Sequence, residues 1–215
     1  MKIKKVLFHK GKKYYWKSGD LHTEHGLVTE KDVQTKSKVQ FHKGKDFIVF
    51  PASFLDNMEK IKRGPQIMTP KDIGEIITRT GMNKESKVLE VGSGSGALTS
   101  FMARIVKQVV SYEIRKDHEK IVEKNLKDLE ITNVKLVNAD ASEIIKEKNF
   151  DIATIDVAEP WTAINNIEKA LNSGGYIVSY SPSISQVENL IKEVNKNSNL
   201  RVLKTLETIE RPWDI

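Results

Sequence analysis

Cysteine is absent from the 215-residue sequence. Disulfides, thiolate metal sites and cysteine nucleophiles are therefore excluded as sources of stability or chemistry. The sequence also lacks any apolar run close to the roughly 18–20 residues that a membrane-spanning helix needs. Its amino terminus, MKIKKVLFHKGKKYY, carries charges but no long apolar segment of the kind found in a secretory signal. Together these absences predict a cytoplasmic protein with neither a membrane nor a metal as a partner.

Acidic residues are scarce near the amino terminus, and this scarcity accounts for the net charge of +6. Residues 1–60 hold 13 Lys/Arg and 7 Asp/Glu, whereas residues 61–215 hold 22 of each. Lysines next to the aromatic residues 14–16 suit a polyanion whose bases can stack, with Lys12 and Lys13 as candidate contacts. A solvated, lysine-rich β surface explains the same residues, so both interpretations stay open.

A glycine-rich stretch, KVLEVGSGSGA, occupies residues 87–97. An apolar run of the kind found in a buried parallel strand is followed at once by Gly92, Gly94 and Gly96, and then by a helical pattern. Glycines let the backbone approach a ligand where a Cβ atom would clash. The letters fit the dinucleotide fingerprint and, with Glu90 in front, also the S-adenosylmethionine loop of class I methyltransferases. The loop alone leaves the choice of cofactor open.

Repeated strand–helix alternation after this loop predicts an open, mostly parallel α/β sheet. The preceding residues 1–60 read as short strands with turns, which predicts a small β module ahead of a domain that covers residues 61–215. The predicted strands of this domain are 88–91, 109–113, 134–137, 150–155, 176–180 and 202–209. The predicted helices include residues 69–81, 116–129, 160–171 and 184–194.

Three acidic residues each follow a predicted strand, and ligands bind at the carboxyl ends of such strands. Glu113 comes 17 residues after Gly96, where a carboxylate binds ribose hydroxyls in Rossmann-type folds. Asp140, with the small Ala141 beside it, suits an adenine amino group. Asp156 ends the fourth strand and is either part of the same cleft or a helix cap. Since no Tyr-x-x-x-Lys pair or histidine base follows, methyl transfer is favoured over hydride transfer.

Five segments resemble the archaeal and bacterial tRNA (adenine-N1)-methyltransferases, which modify adenine 58 of the T-loop and in some archaeal members adenine 57 as well. The glycine loop is the least specific of them. The Asp-x-x-Glu-Pro-Trp segment at 156–161 and the Ser-Pro-x-x-x-Gln segment at 181–186 are together much more specific. The resembling segments are His22–Gly26, Gly64–Asp72, Glu90–Gly96, Ile155–Trp161 and Tyr180–Val187.

The resemblance implies a Rossmann-like class I methyltransferase sheet preceded by a small N-terminal β module. It also implies S-adenosyl-L-methionine as the cofactor, tRNA as the substrate and a homotetramer built as a dimer of dimers. Members of the family usually continue into a last antiparallel strand. This sequence stops at Ile215, so the expected last strand is absent.

The resemblance and the residue types together give a set of candidate site residues. Asp156 is the candidate catalytic residue, because a carboxylate near N6 and N1 would hold the target adenine and stabilise its developing positive charge. Tyr180 or Trp161 would stack on that base. The candidate cofactor-binding residues are Gln66, Glu90, Gly92, Ser93, Gly94, Gly96, Leu98, Glu113, Asp140, Ala141 and Asp156.

Two other functions remain open at this stage. A class I methyltransferase that acts on a small molecule or a protein would need the same cofactor residues. An inactive RNA-binding variant would retain the basic module while the incomplete sheet abolished catalysis.

Overall fold

A computed structural model describes residues 2–64 and 67–214 of the chain. The chain divides into two compact units, Met1–Ile61 and Lys62–Ile215. Among the described residues, no helix combines the length and the apolar character needed to cross a bilayer.

The N-terminal unit is built on a four-stranded antiparallel sheet with the order β2-β1-β6-β5. Its strands and those of a separate hairpin, β3–β4, are β1 (Lys5–His9), β2 (Lys12–Trp16), β3 (Leu21–Thr23), β4 (Gly26–Val28), β5 (Lys38–Gln40) and β6 (Asp46–Pro51). In β6, Phe47 and Val49 are buried while Ile48 between them is 58% exposed. The alternation follows from a sheet with one face on the core and one in water.

Two short helices complete this unit, α1 (Glu30–Thr35) and α2 (Phe54–Met58). The strand-and-turn interpretation of the first 50 residues missed α1. Thr29 caps it by accepting a hydrogen bond from the Asp32 backbone N–H, and Val33 is its buried residue. Such a helix is stabilised by its cap and one buried side chain, so its pattern is too short to stand out.

The second unit contains a five-stranded parallel sheet with the order β11-β10-β7-β8-β9. This sheet and the antiparallel module before it confirm the fold class predicted from the sequence. The strands are β7 (Lys87–Val91), β8 (Gln108–Tyr112), β9 (Val134–Val137), β10 (Phe150–Ile155) and β11 (Leu171–Ser179). The helices are α3 (Pro70–Thr80), α4 (Ala97–Ala103), α5 (Lys116–Asp128), α6 (Ile164–Glu168) and α7 (Ile184–Val194).

The central strand β7 is buried on both faces, as a parallel strand between helical layers should be. Val88 faces a cluster that includes Ile73 of α3 and Met102 of α4. Leu89 points to the opposite side and packs with a cluster that includes Ile164 of α6. Alternate residues of one strand therefore reach different layers, and this alternation decides which side chains share a face at the strand ends.

The predicted helix over residues 160–171 is wrong in its extent. The segment forms a 3₁₀ turn, Pro160–Ala163, then α6, and Leu171 already belongs to β11. The pairing between β10 and β11 shifts register after Phe150, with Gly174 at a φ of +81°. This bulge lengthens β11 beyond the predicted strand 176–180 and explains the glycines that the sequence suggested as a helix end.

The predicted strand over residues 202–209 is also wrong, because residues 201–214 contain no strand. Apolar side chains of this segment lie in water, with Leu203 74% and Ile209 78% exposed. A strand requires a neighbouring backbone that pairs with it, and an alternating pattern by itself does not provide one. The Lys71 ammonium donates a hydrogen bond of 2.9 Å to the Thr208 carbonyl oxygen of this segment.

Candidate active site

The glycine loop joins β7 to α4 with three glycines in the left-handed region of φ. Gly96, at a φ of +77°, caps the start of α4. At Gly92, where φ is +91°, a Cβ atom would lie 2.7 Å from Val157 Cγ1 and still closer to the Asp156 carbonyl oxygen. The position therefore accepts only glycine, and the loop after β7 touches the segment that follows β10.

Glu113 follows β8 and is only 6% exposed. Its Oε2 accepts hydrogen bonds from the Gly94 backbone N–H at 3.1 Å and the Ser93 hydroxyl at 3.4 Å. Its Oε1 accepts one from the Arg115 backbone N–H at 3.0 Å. The carboxylate is thus fixed against the glycine loop. A carboxylate held in this way suits the ribose hydroxyls of a nucleoside cofactor.

His118 is a residue of this site that the sequence reasoning missed. It lies on α5, and its Nδ1 is 3.7 Å from Glu113 Oε2. Its side chain is only 13% exposed. The four other histidines fall in the N-terminal unit, and this one was passed over as an ordinary helix residue. Its position five residues after a strand-ending carboxylate was the available signal.

Asp156 follows β10 on the other side of β7, and its backbone N–H donates to the Val91 carbonyl oxygen at 2.9 Å. The residue is exposed to solvent, yet desolvation by the surrounding protein raises the pKa of its carboxyl. Glu90 of β7 is paired in register with Ser111 of β8 and Thr154 of β10. Glu113 and Asp156 follow two residues later, just past the ends of those two strands, and the charges of both act on Glu90.

Glu90 lies beneath the loop and is 1% exposed. Its Oε2 accepts hydrogen bonds from the hydroxyls of Thr99, at 2.6 Å, and Ser111, at 2.5 Å. Burial raises the pKa of the Glu90 carboxyl to about 7, and the negative charges of Asp156 and Glu113 contribute to the increase. Since it is almost fully covered, Glu90 acts on a ligand only through the loop or through its charge. Neither hydroxyl partner was identified from the sequence.

Asp140 and Ala141 follow β9. Asp140 is half-buried, and its Oδ1 accepts a hydrogen bond from the Ser142 backbone N–H at 2.8 Å. Ala141 is 4% exposed, and its carbonyl oxygen accepts a hydrogen bond from the Asn166 side chain at 3.0 Å. The turn is therefore well fixed, with a carboxylate and a small side chain beside each other at the strand end.

Two candidate base-stacking residues and one candidate cofactor residue lie in or next to the core. The Tyr180 backbone N–H donates to the Ile155 carbonyl oxygen at 2.9 Å, one residue before Asp156. Its half-buried ring packs against the cluster that also contains the buried Leu98 of α4. Trp161 lies in the 3₁₀ turn after β10 and is half-buried. Tyr180 is thus the aromatic residue tied by its backbone to the end of β10.

The segment that leads into the site is held by Asn125, a second residue that the sequence reasoning left in the core. Its amide exchanges two hydrogen bonds of 2.8 Å with the Lys62 backbone and donates a third, of 2.9 Å, to the Ser95 carbonyl oxygen. The Gly64 backbone N–H donates to the Ser95 hydroxyl at 3.0 Å. The next candidate cofactor residue, Gln66, lies outside the described residues.

Lys12 and Lys13 belong to the N-terminal unit, and both are ion-paired. The Lys12 ammonium lies 2.5 Å from Glu24 Oε1, and the Lys13 ammonium lies 2.6 Å from Asp56 Oδ1. The second pair is partly buried, since the Asp56 side chain is 4% exposed. Part of the positive charge counted in the sequence is therefore balanced within this unit.

The arrangement fits a nucleoside cofactor. A glycine loop that leaves no room for side chains passes over a sheet edge where carboxylates follow β8, β9 and β10. Glu113 is already aligned by three hydrogen bonds, so it needs no rearrangement to accept hydroxyl donors. The donor and acceptor groups are those that a ribose and an adenine amino group require.

Comparison with known proteins agrees with this geometry. Residues 51–215 match the family model of the tRNA methyltransferase complex GCD14 subunit. The chain is 32% identical over 244 aligned positions to tRNA (adenine(57)-N(1)/adenine(58)-N(1))-methyltransferase TrmI of Methanocaldococcus jannaschii, covering 99% of this chain and 86% of that protein.

Two solved structures share the fold. The tRNA (m1A58) methyltransferase TrmI from Aquifex aeolicus has a TM-score of 0.78 and 27% identity, covering 91% of this chain and 82% of that one. A SAM-dependent O-methyltransferase from Thermotoga maritima has a TM-score of 0.81 and 28% identity, covering 90% and 77%. The resemblance inferred from the sequence is thereby confirmed, and the chain belongs to the GCD14 family of tRNA methyltransferase complex subunits.

Proposed function

We propose that this protein transfers a methyl group from S-adenosyl-L-methionine to N1 of adenine 58 in the T-loop of tRNA, with adenine 57 as a second candidate target. The observation that carries the proposal is the pair of carboxylates, Glu113 and Asp156, which follow the strands on either side of β7, with the glycine loop after β7 between them. The names of the relatives from Methanocaldococcus jannaschii and Aquifex aeolicus support the choice of substrate.

Each part of the site has a proposed task. Glu113 binds the ribose hydroxyls, while Asp140 accepts the adenine amino group of the cofactor and Ala141 lies against its ring. The bound cofactor supplies an electrophilic methyl group on a positively charged sulfur. The glycines of residues 92–96 admit the ligand close to the backbone.

Methylation at N1 requires alignment more than a base, because the N1 lone pair is itself the nucleophile. The cofactor held by Glu113 and Asp140 would supply the methyl group that N1 accepts, and its sulfur would keep the electron pair of the broken carbon–sulfur bond. The product adenine carries the positive charge that the sulfur loses. Asp156 holds the base through its amino group and stabilises this developing charge, and Tyr180 stacks on the ring. The target base first leaves its stacked position in the T-loop.

The tRNA body is proposed to contact the N-terminal unit at one end of its sheet. The turns after β1 and before β6 meet there, because the His9 ring bonds to the Asp46 carbonyl oxygen at 2.7 Å. Lys10 and Lys45 lie in these turns, are exposed, and have no ion pair among the described residues. They are better candidates for phosphate contacts than Lys12 and Lys13, whose ammonium groups already have carboxylate partners.

A cytoplasmic homotetramer, arranged as a dimer of dimers, is part of the proposal. Large apolar side chains that lie in water on α7 and the C-terminal segment support an assembly, among them Ile184 at 72% and Trp213 at 78% exposure. Light scattering coupled to gel filtration would give the mass in solution. A monomer at micromolar concentration would contradict the tetramer and leave the proposed reaction untouched.

A second candidate is methyl transfer to oxygen on a small molecule, since the Thermotoga maritima structure with the TM-score of 0.81 is described as an O-methyltransferase. It requires the same cofactor residues but gives the Lys10 and Lys45 turns no role. The two functions therefore differ in their dependence on tRNA.

The test is methyl transfer from radiolabelled cofactor to tRNA transcripts. Wild-type transcript, transcripts with guanine at position 58 or at position 57, and a transcript with both changes would be compared, followed by nuclease digestion and identification of the nucleoside. We expect 1-methyladenosine that is lost with the change at 58. Label that persists in the doubly changed transcript, or its absence from every tRNA while binding of the cofactor is intact, would overturn the proposal.

A further inference from the structure

Glu90 is the middle one of three acidic residues, because its strand β7 lies between β8, which Glu113 follows, and β10, which Asp156 follows. It is paired in register with Ser111 on β8 and with Thr154 on β10. Glu113 lies two residues beyond Ser111, and Asp156 lies two residues beyond Thr154. Because side chains alternate along a strand, Glu90, Ser111 and Thr154 point to the same layer as Val88, Val109 and Ile152, which contains α4, and Thr99 of α4 bonds to Glu90. Glu90 therefore lies between the two acids proposed to serve cofactor and substrate.

The hydrogen bonds of this carboxyl are unequally distributed. Both hydroxyl donors, from Thr99 and Ser111, bind Oε2. Oε1 is buried without a partner, and so is the Thr154 hydroxyl on the neighbouring strand. A buried ionised carboxylate needs donors on both oxygens, whereas a neutral carboxyl carries its proton on the oxygen that lacks them. The arrangement suits a neutral Glu90 with its proton on Oε1.

Among the residues that the structure describes, no lysine or arginine pairs with this carboxyl. The groups that face it are hydroxyls from α4, β8 and β10, and the charges nearby are those of Glu113 and Asp156. His118 lies beside Glu113, with its Nδ1 3.7 Å from Glu113 Oε2. Burial and the two acids together raise the pKa of Glu90 to about 7, so both of its protonation states are accessible near neutral pH.

We propose that Glu90 is a specificity-determining residue that distinguishes the positively charged cofactor from its neutral demethylated product, by losing its proton when the cation binds. The inference rests on the proposed function, since it requires a sulfonium cofactor at this face. A positive charge near Asp156 and Glu113 offsets their repulsion of a third negative charge. The Glu90 proton then passes to solvent. After methyl transfer the sulfur is neutral, the compensation is lost, and Glu90 takes a proton back.

The consequence is a preference for the cofactor over the product that increases with pH. Ionised Glu90 favours the cation, while neutral Glu90 binds cofactor and product more nearly equally. Product release is thereby coupled to proton uptake at a residue that touches neither ligand. Glu90 is in this sense a positioning and charge-compensating group, distinct from a catalytic residue.

Calorimetry at pH 7 in buffers of different ionisation enthalpy tests this directly. We expect S-adenosylmethionine to release about half a proton per site, because a group with a pKa of about 7 is half protonated there, and S-adenosylhomocysteine to release far less. The ratio of the two dissociation constants should also change by several-fold between pH 6 and pH 8. Glu90→Gln should abolish both effects.

Glu147→Gln is the matched control. Hydrogen bonds from Lys135 and Tyr112 overcome the effect of burial and lower the pKa of Glu147 to about 2, so it has no proton to release at pH 7. Equal proton release with both ligands, or unchanged release in Glu90→Gln, would overturn the inference. Failure of either ligand to bind would contradict the proposed function instead.

A spectroscopic measurement keeps the inference testable if Glu90→Gln does not fold. The infrared band of a protonated carboxyl should disappear when S-adenosylmethionine is added to the wild-type protein, and persist with S-adenosylhomocysteine. The same loss should occur in Asp156→Asn, which excludes Asp156 as its source. A band that is absent from the free protein at pH 6 would refute the neutral Glu90.

Discussion

The acidic residues of the N-terminal unit differ in their surroundings from those around the glycine loop of the second unit. In the N-terminal unit, hydrogen bonds from Lys12 and Tyr14 lower the pKa of the Glu24 carboxyl to about 2. Around the glycine loop the opposite occurs, because burial raises the pKa of Glu90 to about 7 and desolvation also raises that of Asp156. Among the described residues, neither of these two carboxyls has a lysine or arginine within ion-pair distance.

Charges that are paired within the protein stabilise its fold, whereas charges without a partner are available to bind a ligand. Lysines that already have carboxylate partners contribute less to phosphate binding than composition suggests. Acids that are grouped without cations destabilise the folded protein, and groups of this kind occur where a ligand supplies the missing charge. The composition of a unit is thus a poorer guide to its binding than the pairing of its charges.

The largest expected effect is at Asp156. Asp156→Asn removes the negative charge proposed to stabilise the methylated ring, so turnover should fall by on the order of 10²–10³. Cofactor affinity should stay close to wild type. Single-turnover methylation and calorimetry measure the two quantities. Glu85→Gln, an exposed acid that precedes β7 at the end of the strand away from the glycine loop, is the control and should retain full activity. An unchanged rate in Asp156→Asn would show that Asp156 is a loop residue with no catalytic role. Of the two acids with a raised pKa, only Glu90 would then distinguish the cleft from the N-terminal unit.

The stability of the protein should depend on the protonation of Glu90. In the folded state its pKa lies above the ordinary value of 4.5, so the folded state binds more protons than the unfolded state between pH 4.5 and about 7. Its contribution is therefore fully present below pH 4.5 and lost as the pH rises to about 7. Relative to Glu90→Gln, the wild-type free energy of unfolding should fall by on the order of 3 kcal/mol over this range. Urea denaturation at pH 5 and pH 8 measures it. Parallel curves for the two proteins would mean that Glu90 is ionised throughout.

Cofactor affinity should depend on Glu113. Glu113→Gln removes the charge from a carboxylate that is already aligned by the loop, and dissociation constants should rise about 10- to 100-fold, the range expected for hydrogen bonds to a charged group. Calorimetry with S-adenosylhomocysteine avoids turnover. Glu123→Gln, exposed on the same helix as His118, should bind as wild type does. Wild-type affinity in Glu113→Gln would show that Glu113 only holds the glycine loop in place and does not bind the cofactor.

The smallest expected effect compares paired with unpaired lysines. The double variant Lys10→Ala/Lys45→Ala should make the log–log salt dependence of tRNA binding shallower by about 1.4–1.8, because each phosphate contact contributes about 0.7–0.9. Lys12→Ala should change this slope by much less, since its ammonium is bound to Glu24. Fluorescence anisotropy over a salt series provides the slopes. A larger change in Lys12→Ala than in the double variant would reverse the assignment of the tRNA surface.

Much of the second unit could be predicted from the sequence because its strands are apolar on both faces and its turns contain glycine. Residues 134–137, 150–155 and 184–194 were predicted with the bounds that the structure shows. The strand predicted at 202–209 failed because pattern alone provides no partner backbone. Helix α1 was missed because six residues with one buried side chain give almost no periodic signal.

The residue types of the candidate site could be predicted, but their environments could not. Glu113 and Asp156 were recognised because each ends a strand. Glu90 was recognised from the loop pattern, yet its burial depends on Thr99 and Ser111, which lie 9 and 21 residues away. Asn125 shows the same limit, since its bonds to Lys62 span 63 residues. Long-range polar contacts of this kind depend on how the helices pack, and no local pattern encodes them.

The close approach at Gly92 has a consequence for evolution and for mutagenesis. Any side chain there would displace the backbone that carries Asp156, so one substitution would damage both the cofactor loop and the substrate side of the cleft. The cofactor loop and the segment that carries Asp156 therefore cannot change in sequence independently at this point. A loss-of-function substitution at Gly92 would not be repaired by a second substitution confined to either loop. A catalytically silent protein that still binds the cofactor is better obtained by altering Asp156, because its exposed side chain can change without moving the backbone beside Gly92.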